Sequence, residues 1–137
     1  MSRPRVQVTR EVFDEVLDYL GEHFEVSSNQ DDRPFTPTEL AQVLADKQGA
    51  LTVLTDRIDA VLITHCPQLK AVCNIAVGYN NFDLKAMSAR GVIGTNTPGV
   101  LDAATADFTW ALILATARRL TEAEAWLRAG EWQGWKL

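Results

Sequence analysis

The stretch KAVCNIAVGYNNFDLKAMSARGVIGT, residues 70–95, decides the fold class of this 137-residue chain. An apolar run over residues 70–75 is typical of a buried strand, and the loop AVGYNN separates it from a short helical segment over residues 83–90. Gly91 ends that segment, and residues 92–95 form the next apolar run. A strand, a helix and a second strand joined by short connections predict two parallel strands in one sheet.

The same alternation extends back to the amino terminus. Three further strands are predicted over residues 5–9, 24–27 and 50–54, with helices over residues 11–20, 37–48 and 59–65. The whole pattern predicts an α/β fold, a flavodoxin-like parallel sheet with helices on both faces. In such sheets ligands bind at the carboxyl ends of the strands.

Local signals mark several helix ends. Thr36 followed three residues later by Glu39 forms a capping box that opens the second helix. Thr121 and Glu124 have the same spacing and predict the start of the last helix. Gly21 is expected to end the first helix, since glycine is favoured just after a helix.

The sequence changes in character after Pro98 and Gly99, which mark a break. A long, strongly apolar helix is predicted over residues 102–120, followed by the shorter last helix. The chain therefore divides into residues 1–98, which carry the sheet, and residues 99–137.

Composition excludes several classes of function. Thirteen Lys and Arg against eighteen Asp and Glu give a formal charge of −5, which argues against a nucleic-acid partner. No apolar run approaches the roughly 18 residues of a membrane-spanning helix. The first residues also lack the apolar core and cleavage site of a secretory signal. These features predict a soluble, cytoplasmic protein.

Most familiar catalytic and metal-binding arrangements are missing from the sequence. Cys66 and Cys73 have no zinc-ligand spacing, and the eight glycines include no G-x-G dinucleotide motif. His23 and His65 lack a partner at helical spacing, and Asp56 after the third predicted strand is interpreted as an isolated loop carboxylate. We therefore predict no catalytic residue and no metal site in this chain.

One loop remains as a candidate site, AVGYNNFD at residues 76–83. It joins a strand to a helix, where main-chain N–H groups favour an anion. Gly78 is expected to allow a positive φ and the close approach of a ligand to the main chain. Asn80 and Asn81 tolerate left-handed backbone, and Asp83 is placed to cap the next helix. The residues leave two interpretations open: an ordinary turn between a strand and a helix, or a cradle of N–H groups for a small carboxylate.

Three segments in order carry a resemblance to a known family: LTVLTDRID, PQLKAVCNIAVGYNNFD and RGVIGTNTPGVLDAATADFTWALILATARRLTEAEAWLRAGEW. They resemble the amino-terminal part of the D-isomer-specific 2-hydroxyacid dehydrogenases, with the glyoxylate/hydroxypyruvate reductase and 2-ketogluconate reductase branch most similar. The resemblance runs from about Gly49 to the end of the chain. Before Gly49 only the strand–helix layout matches.

The resemblance implies roles for five residues. The main-chain N–H groups of Val77 and Gly78 would bind the substrate carboxylate. Leu54 and Thr55, after the third strand, would shape the substrate pocket. Thr105, together with Val77, would approach the nicotinamide end of the coenzyme. The family often has Asp at the position of Asn80, a difference that bears on fine specificity.

The resemblance also implies that parts of the enzyme are missing. In the family, the G-x-G-x-x-G sheet and the catalytic Arg, Glu and His follow a segment similar to residues 130–132. None of them is in this chain, nor is the family's last helix. Residues 1–98 would thus be an incomplete substrate domain, with a hinge at residues 96–100. Residues 99–137 would carry interdomain helices leading to an absent NAD(P)-binding domain.

Two hypotheses follow from this reading. The chain is part of an NAD- or NADP-dependent reductase of a small 2-keto acid such as glyoxylate, hydroxypyruvate or 2-ketogluconate. In that case it is inactive alone and binds neither coenzyme tightly. Alternatively, it is a naturally short, non-enzymatic ligand-binding or interaction module derived from the same family. The reading frame beyond Leu137 distinguishes them, because only the first hypothesis expects a continuation with G-x-G-x-x-G.

The long apolar helix predicts a further property. Its segment WALILA is apolar on every side, and a helix of this kind must be buried on every side. We therefore expect a homodimer or higher oligomer, with residues 105–127 at the contact. The alternative is that the helix folds back onto the chain's own sheet.

Overall fold

The computed structural model describes residues 2–135. They form two compact units, and the boundary along the chain lies between Pro98 and Gly99. The first unit alternates strands and helices: β1 (Arg5–Val8), α1 (Asp14–His23), β2 (Glu25–Ser28), α2 (Pro37–Leu44), β3 (Gly49–Thr52), α3 (Ala60–His65), β4 (Ala71–Asn74), α4 (Leu84–Arg90) and β5 (Ile93–Thr95). The second unit contains α5 (Asp102–Ala117) and α6 (Leu120–Arg128).

The five strands form one sheet in the order β2-β1-β3-β4-β5, with every neighbouring pair parallel. This order is the one found in flavodoxin-like doubly wound sheets. The predicted α/β fold is therefore confirmed. The order of strand addition reverses between β1 and β3, so the topological switch point lies at the carboxyl ends of these two strands.

One face of the sheet carries the hydrophobic core of the first unit. Every second residue of β3 and β4 is buried there, because successive side chains of a strand point to opposite faces. Leu44 of α2, Ile63 of α3 and Met87 of α4 are almost fully buried in the same cluster as Val72 of β4. Burial of each such side chain contributes roughly 1.5–3 kcal/mol.

The opposite face is covered less completely. Leu20 and Phe24, at the end of α1, border an apolar depression of about 290 Å³ whose floor includes Val6, Leu51 and Cys73. These three strand residues are only half-buried, and α1 has no fully buried residue. Helices thus flank both faces, but only one face has a closed core.

Three predicted helix ends are confirmed. Thr36 caps α2 with a reciprocal bond, since the Glu39 N–H donates to its hydroxyl and the Glu39 carboxylate accepts from the Thr36 N–H at 2.8 Å. Asp83 caps α4, as Asp59 caps α3, by accepting from the N–H three residues later. Gly91 ends α4 with a φ of +66°, a conformation that glycine adopts without strain.

Two predicted helix ends are wrong. Gly21 does not stop α1, which continues to His23; glycine inside a surface helix costs only about 1 kcal/mol. Thr121 does not cap α6, because that helix starts one residue earlier, after Arg119. Arg119 adopts a left-handed φ of +51° and pairs with Glu122, so Thr121 already lies within the first turn.

The helices of the second unit expose large apolar side chains. Neither α5 nor α6 contains a buried residue. The exposed set on α5 comprises Phe108, Trp110, Leu112, Ile113 and Leu114. In the part of the chain that the structure describes, no helix is both long and apolar enough to cross a membrane.

Candidate functional site

Two loops leave the carboxyl edge of the sheet side by side. The last residues of β3 and β4, Thr52 and Asn74, are register partners, so the loops that follow start at the same level. The two loops come together again at Ile58 and Phe82, which form an isolated parallel bridge. The Ile58 N–H donates to the Asn81 carbonyl at 2.8 Å, and the Ile58 carbonyl accepts from the Asp83 N–H at 2.9 Å. The sheet therefore places both predicted substrate loops next to each other.

Two carbonyl groups of the loop after β4 accept hydrogen bonds from residues 96 and 97. The Ala76 carbonyl accepts a hydrogen bond from the Thr97 N–H at 2.9 Å, and the Val77 carbonyl accepts one from the Asn96 side-chain amide at 2.7 Å. The C=O and N–H of a planar trans peptide point in opposite directions. The N–H groups of Val77 and Gly78 therefore point away from Thr97 and Asn96.

These two N–H groups are available to a ligand. Within residues 2–135, neither the Val77 nor the Gly78 N–H donates a hydrogen bond to another residue. Val77 is 38% exposed, so solvent and small solutes reach the loop. Two adjacent main-chain donors without a partner in the described residues can donate hydrogen bonds to a small anion.

Leu54 lies against this loop, and its role in a substrate pocket stays a prediction. A Cβ atom placed on Gly78 would lie 3.6 Å from Leu54 Cδ2, which is ordinary van der Waals contact. Leu54 is 51% exposed, and it also borders an open cleft of about 600 Å³ that includes Asn81 and Asp83. An apolar wall beside two polar donors is typical of small-molecule sites.

Thr55 faces a cation that the sequence analysis did not identify. Arg10, after β1, donates from Nη1 to Thr55 Oγ1 at 3.5 Å and from Nε to Asp32 at 2.8 Å. The carboxylate of Asp32 raises the pKa of Arg10, and Arg10 in turn lowers the pKa of Asp32. The guanidinium group therefore stays charged at the same sheet edge as Leu54 and Thr55.

Asp56 is a loop carboxylate, but it is not isolated. It is 2% exposed and accepts hydrogen bonds from the Thr9 hydroxyl at 2.5 Å and from the Val53 N–H at 3.1 Å. The carboxylate thereby ties the end of β1 to the loop after β3. A buried carboxylate with its hydrogen-bond partners present contributes to the structure of the loop.

The backbone of residues 76–83 differs from the expectation. Among the described residues, the left-handed positions are Asp32, Arg119 and four glycines that do not include Gly78. Asn80 and Asn81 are not left-handed either. Gly78 matters for the space around it, since a larger residue would project toward Leu54 and Asn80.

Sequence reasoning missed three asparagine side chains that shape the site. Asn96 holds the Val77 carbonyl, Asn74 donates to the Gly78 carbonyl at 2.9 Å, and Asn81 hydrogen-bonds to Asn74. An Asn at the end of a predicted parallel strand is the one signal that could have marked Asn74. The other contacts depend on how distant segments fold together.

The remaining candidates lie away from these loops or outside the first unit. Thr105 is exposed on α5, and its proposed approach to a coenzyme stays a prediction. His65 is engaged with the Val61 carbonyl at 2.8 Å, and Cys66 is buried, which raises the pKa of its thiol. In the described part of the chain, no group of three His, Cys, Asp or Glu could hold a metal ion.

Comparison with known proteins gives one consistent family. The model of the catalytic domain of D-isomer-specific 2-hydroxyacid dehydrogenases matches residues 6–130. The glyoxylate reductase of Aeropyrum pernix is 46% identical over 137 residues, which cover 100% of this chain and 40% of that protein. The chain therefore spans well under half the length of this relative.

Solved structures agree with the sequence comparison. A putative D-isomer-specific 2-hydroxyacid dehydrogenase from Polaromonas sp. JS6 66 is similar with a TM-score of 0.87 and 28% identity, over 98% of this chain and 42% of that one. An NADPH-dependent glyoxylate/hydroxypyruvate reductase from Sinorhizobium meliloti, in complex with NADP and malonate, is similar with a TM-score of 0.76 and 35% identity. That match covers 96% of this chain and 40% of the reductase.

Proposed function

Because this chain belongs to the family of D-isomer-specific 2-hydroxyacid dehydrogenases, we propose that it supplies the substrate-binding part of a reductase of small 2-keto acids. The complete enzyme would use NAD or NADP and form a D-2-hydroxy acid. The substrate class includes glyoxylate, hydroxypyruvate and 2-ketogluconate. Relatives named glyoxylate reductase and a reductase structure that contains malonate, a dicarboxylate, support this class.

One observation carries the proposal: the N–H groups of Val77 and Gly78 are oriented and free. A carboxylate bound there accepts two charge-assisted hydrogen bonds, which are stronger than bonds between neutral groups. Leu54 then lies beside the carbon chain of the substrate. The chain's own residues thus bind and orient the substrate, and no proton transfer is assigned to any of them.

Val77 and Thr105 are the two residues of this chain proposed to approach the coenzyme. A bound nicotinamide supplies the hydride in such reductases. The sequence contains no glycine-rich dinucleotide turn, and Val77 and Thr105 offer a half-exposed apolar side chain and one hydroxyl. These two residues do not make a dinucleotide site, so we derive no reaction step through the coenzyme.

The proposal predicts that the chain alone does not turn over substrate. The purified chain is mixed with NADH or NADPH and with glyoxylate or hydroxypyruvate, and coenzyme oxidation is followed by absorbance. We expect no oxidation above a protein-free control. Oxidation that scales with chain concentration and disappears in Gly78→Val would contradict the proposal, because it would place the chemistry within these residues.

We also propose that the chain binds a second copy of itself through residues 105–127. The exposed fractions of Trp110, Ile113 and Leu114 are 63%, 50% and 58%. Burying a side chain of this size is worth roughly 1.5–3 kcal/mol, so these three residues favour association strongly. A contact between copies would remove this apolar surface from water.

A further inference from the structure

Two amide side chains, one buried and one half-buried, connect the loops of the candidate site. Asn74, at the end of β4, is 2% exposed, and Asn81 lies seven residues later in the loop that follows. Asn74 Nδ2 donates to Asn81 Oδ1 at 3.1 Å, and Asn81 Nδ2 donates back to Asn74 Oδ1 at 3.3 Å. The two amides therefore form a reciprocal pair between the end of a strand and the start of the next helix.

Asn81 extends the pair to the neighbouring loop. Its Nδ2 donates to the Asp56 carbonyl at 2.8 Å and to the Val53 carbonyl at 3.2 Å. Leu54 and Thr55 lie between these two carbonyl groups in the sequence. The Asn81 side chain is therefore hydrogen-bonded to the loop after β3 both before and after these two residues. The backbone between Val53 and Asp56 cannot shift without breaking these bonds.

Asn74 extends the pair to the carboxylate cradle. Its Nδ2 also donates to the Gly78 carbonyl at 2.9 Å, while Asn96 holds the carbonyl of Val77. Gly78 is thus fixed through the peptide on each side, which sets the direction of its N–H. The Thr52 hydroxyl donates to Asn74 Oδ1 at 3.1 Å and anchors the pair to β3.

From these contacts we propose that Asn74 and Asn81 are positioning residues for substrate binding. They hold the Leu54 loop and the Val77–Gly78 donors in one fixed arrangement, and neither amide needs to touch the substrate. The proposal rests on the function proposed above. It adds that the Asn74–Asn81 pair connects the Leu54 loop to the Val77–Gly78 donors. A site built from loops requires such support, because misplacement by about 1 Å weakens binding severely.

The test measures oxalate binding to the isotope-labelled 137-residue chain by amide NMR. Asn81→Ala removes the side-chain donor to the Val53 and Asp56 carbonyl groups, and Ser88→Ala is the control because Ser88 is an exposed polar residue of α4 outside both loops. We expect Asn81→Ala to lower the affinity by about tenfold or more and Ser88→Ala to leave it within about twofold. In ligand-free Asn81→Ala, the amide signals of Leu54 and Gly78 should move together while core signals such as Val72 stay in place.

The other outcomes contradict either the positioning role or the proposed function. If the wild-type chain binds oxalate at Val77 and Gly78 and Asn81→Ala binds equally well, the positioning role is wrong and the proposed function stands. If the wild-type chain does not respond to oxalate, the proposed function fails, and this inference fails with it. Asn81→Ser, which keeps one hydroxyl donor, replaces Asn81→Ala if the latter does not fold. Failure of both variants to fold would make the pair a folding element and overturn the positioning role.

Discussion

Two glycines, Gly78 in the loop after β4 and Gly94 in β5, differ in the space around them. A Cβ atom on Gly94 of β5 would lie 3.0 Å from Met87 Cε and 3.1 Å from the Phe82 ring, both in the buried core. A Cβ atom on Gly78 meets its neighbours only at 3.6 Å. A larger residue at position 94 would displace core side chains, whereas position 78 has space for one.

The matched substitutions Gly78→Val and Gly94→Val test this distinction. We expect Gly94→Val to lower the free energy of unfolding by about 1–3 kcal/mol, because overpacking displaces core side chains. Gly78→Val should change it by no more than about 0.5 kcal/mol, since the position has space and no left-handed backbone. Urea denaturation followed by circular dichroism measures both, and equal destabilisation of the two variants would contradict the account.

At the residue scale, the sequence predicts local contacts well and distant ones poorly. The caps at Thr36 and Asp83 are readable because each bond joins residues three apart. The bond from Asn81 to Val53 joins residues 28 apart, so it exists only once β3 and β4 are paired. For Gly78 the sequence suggested a positive φ, which the structure does not have, and close approach of a ligand, which stays a prediction.

The cap of α2 gives an element-scale prediction with a pH dependence. Glu39 accepts hydrogen bonds from Arg33 and from the Thr36 N–H and hydroxyl, and these bonds lower its pKa from 4.5 to about 2. A carboxyl whose pKa is lowered by folding stabilises the fold above its unfolded value. That contribution is lost as the pH falls from about 4.5 towards 2.

We therefore expect the free energy of unfolding of Glu39→Gln to decrease less at low pH than that of the wild type. The free energy of unfolding is measured in urea at several pH values for the wild type, for Glu39→Gln and for Glu15→Gln, a control in the exposed first turn of α1. The wild type and the control should lose more stability than Glu39→Gln between pH 4.5 and about 2. Parallel curves for all three proteins would show that the cap bonds do not contribute.

The elements themselves were largely predictable because each has its own signal. Apolar runs marked the strands, and predicted caps marked the starts of α2 and α4. The start of α6 was not predictable from the Thr121–Glu124 spacing, because the helix is capped at the left-handed Arg119, two residues before Thr121. A non-glycine residue in that conformation carries no sequence signal.

At the scale of the whole molecule, the exposed apolar surface of α5 predicts association. We expect sedimentation of the purified chain at tens of micromolar to show a dimer or higher oligomer. The double substitution Ile113→Asp and Leu114→Asp should dissociate it, because two charges would have to lose their hydration at the contact. Asp102→Asn, an exposed polar change on the same helix but outside the proposed contact, serves as the control and should leave the oligomer intact. A compact wild-type monomer at this concentration would contradict the proposed contact.

The central claim is that Val77 and Gly78 hold a carboxylate through their main-chain N–H groups. The most direct measurement is a titration of the labelled chain with oxalate, followed by amide NMR, alongside Gly78→Val. The account predicts saturable shifts that are largest at the Val77 and Gly78 amides in the wild type and that disappear in Gly78→Val. An unchanged spectrum, or shifts confined to other parts of the chain, would contradict it.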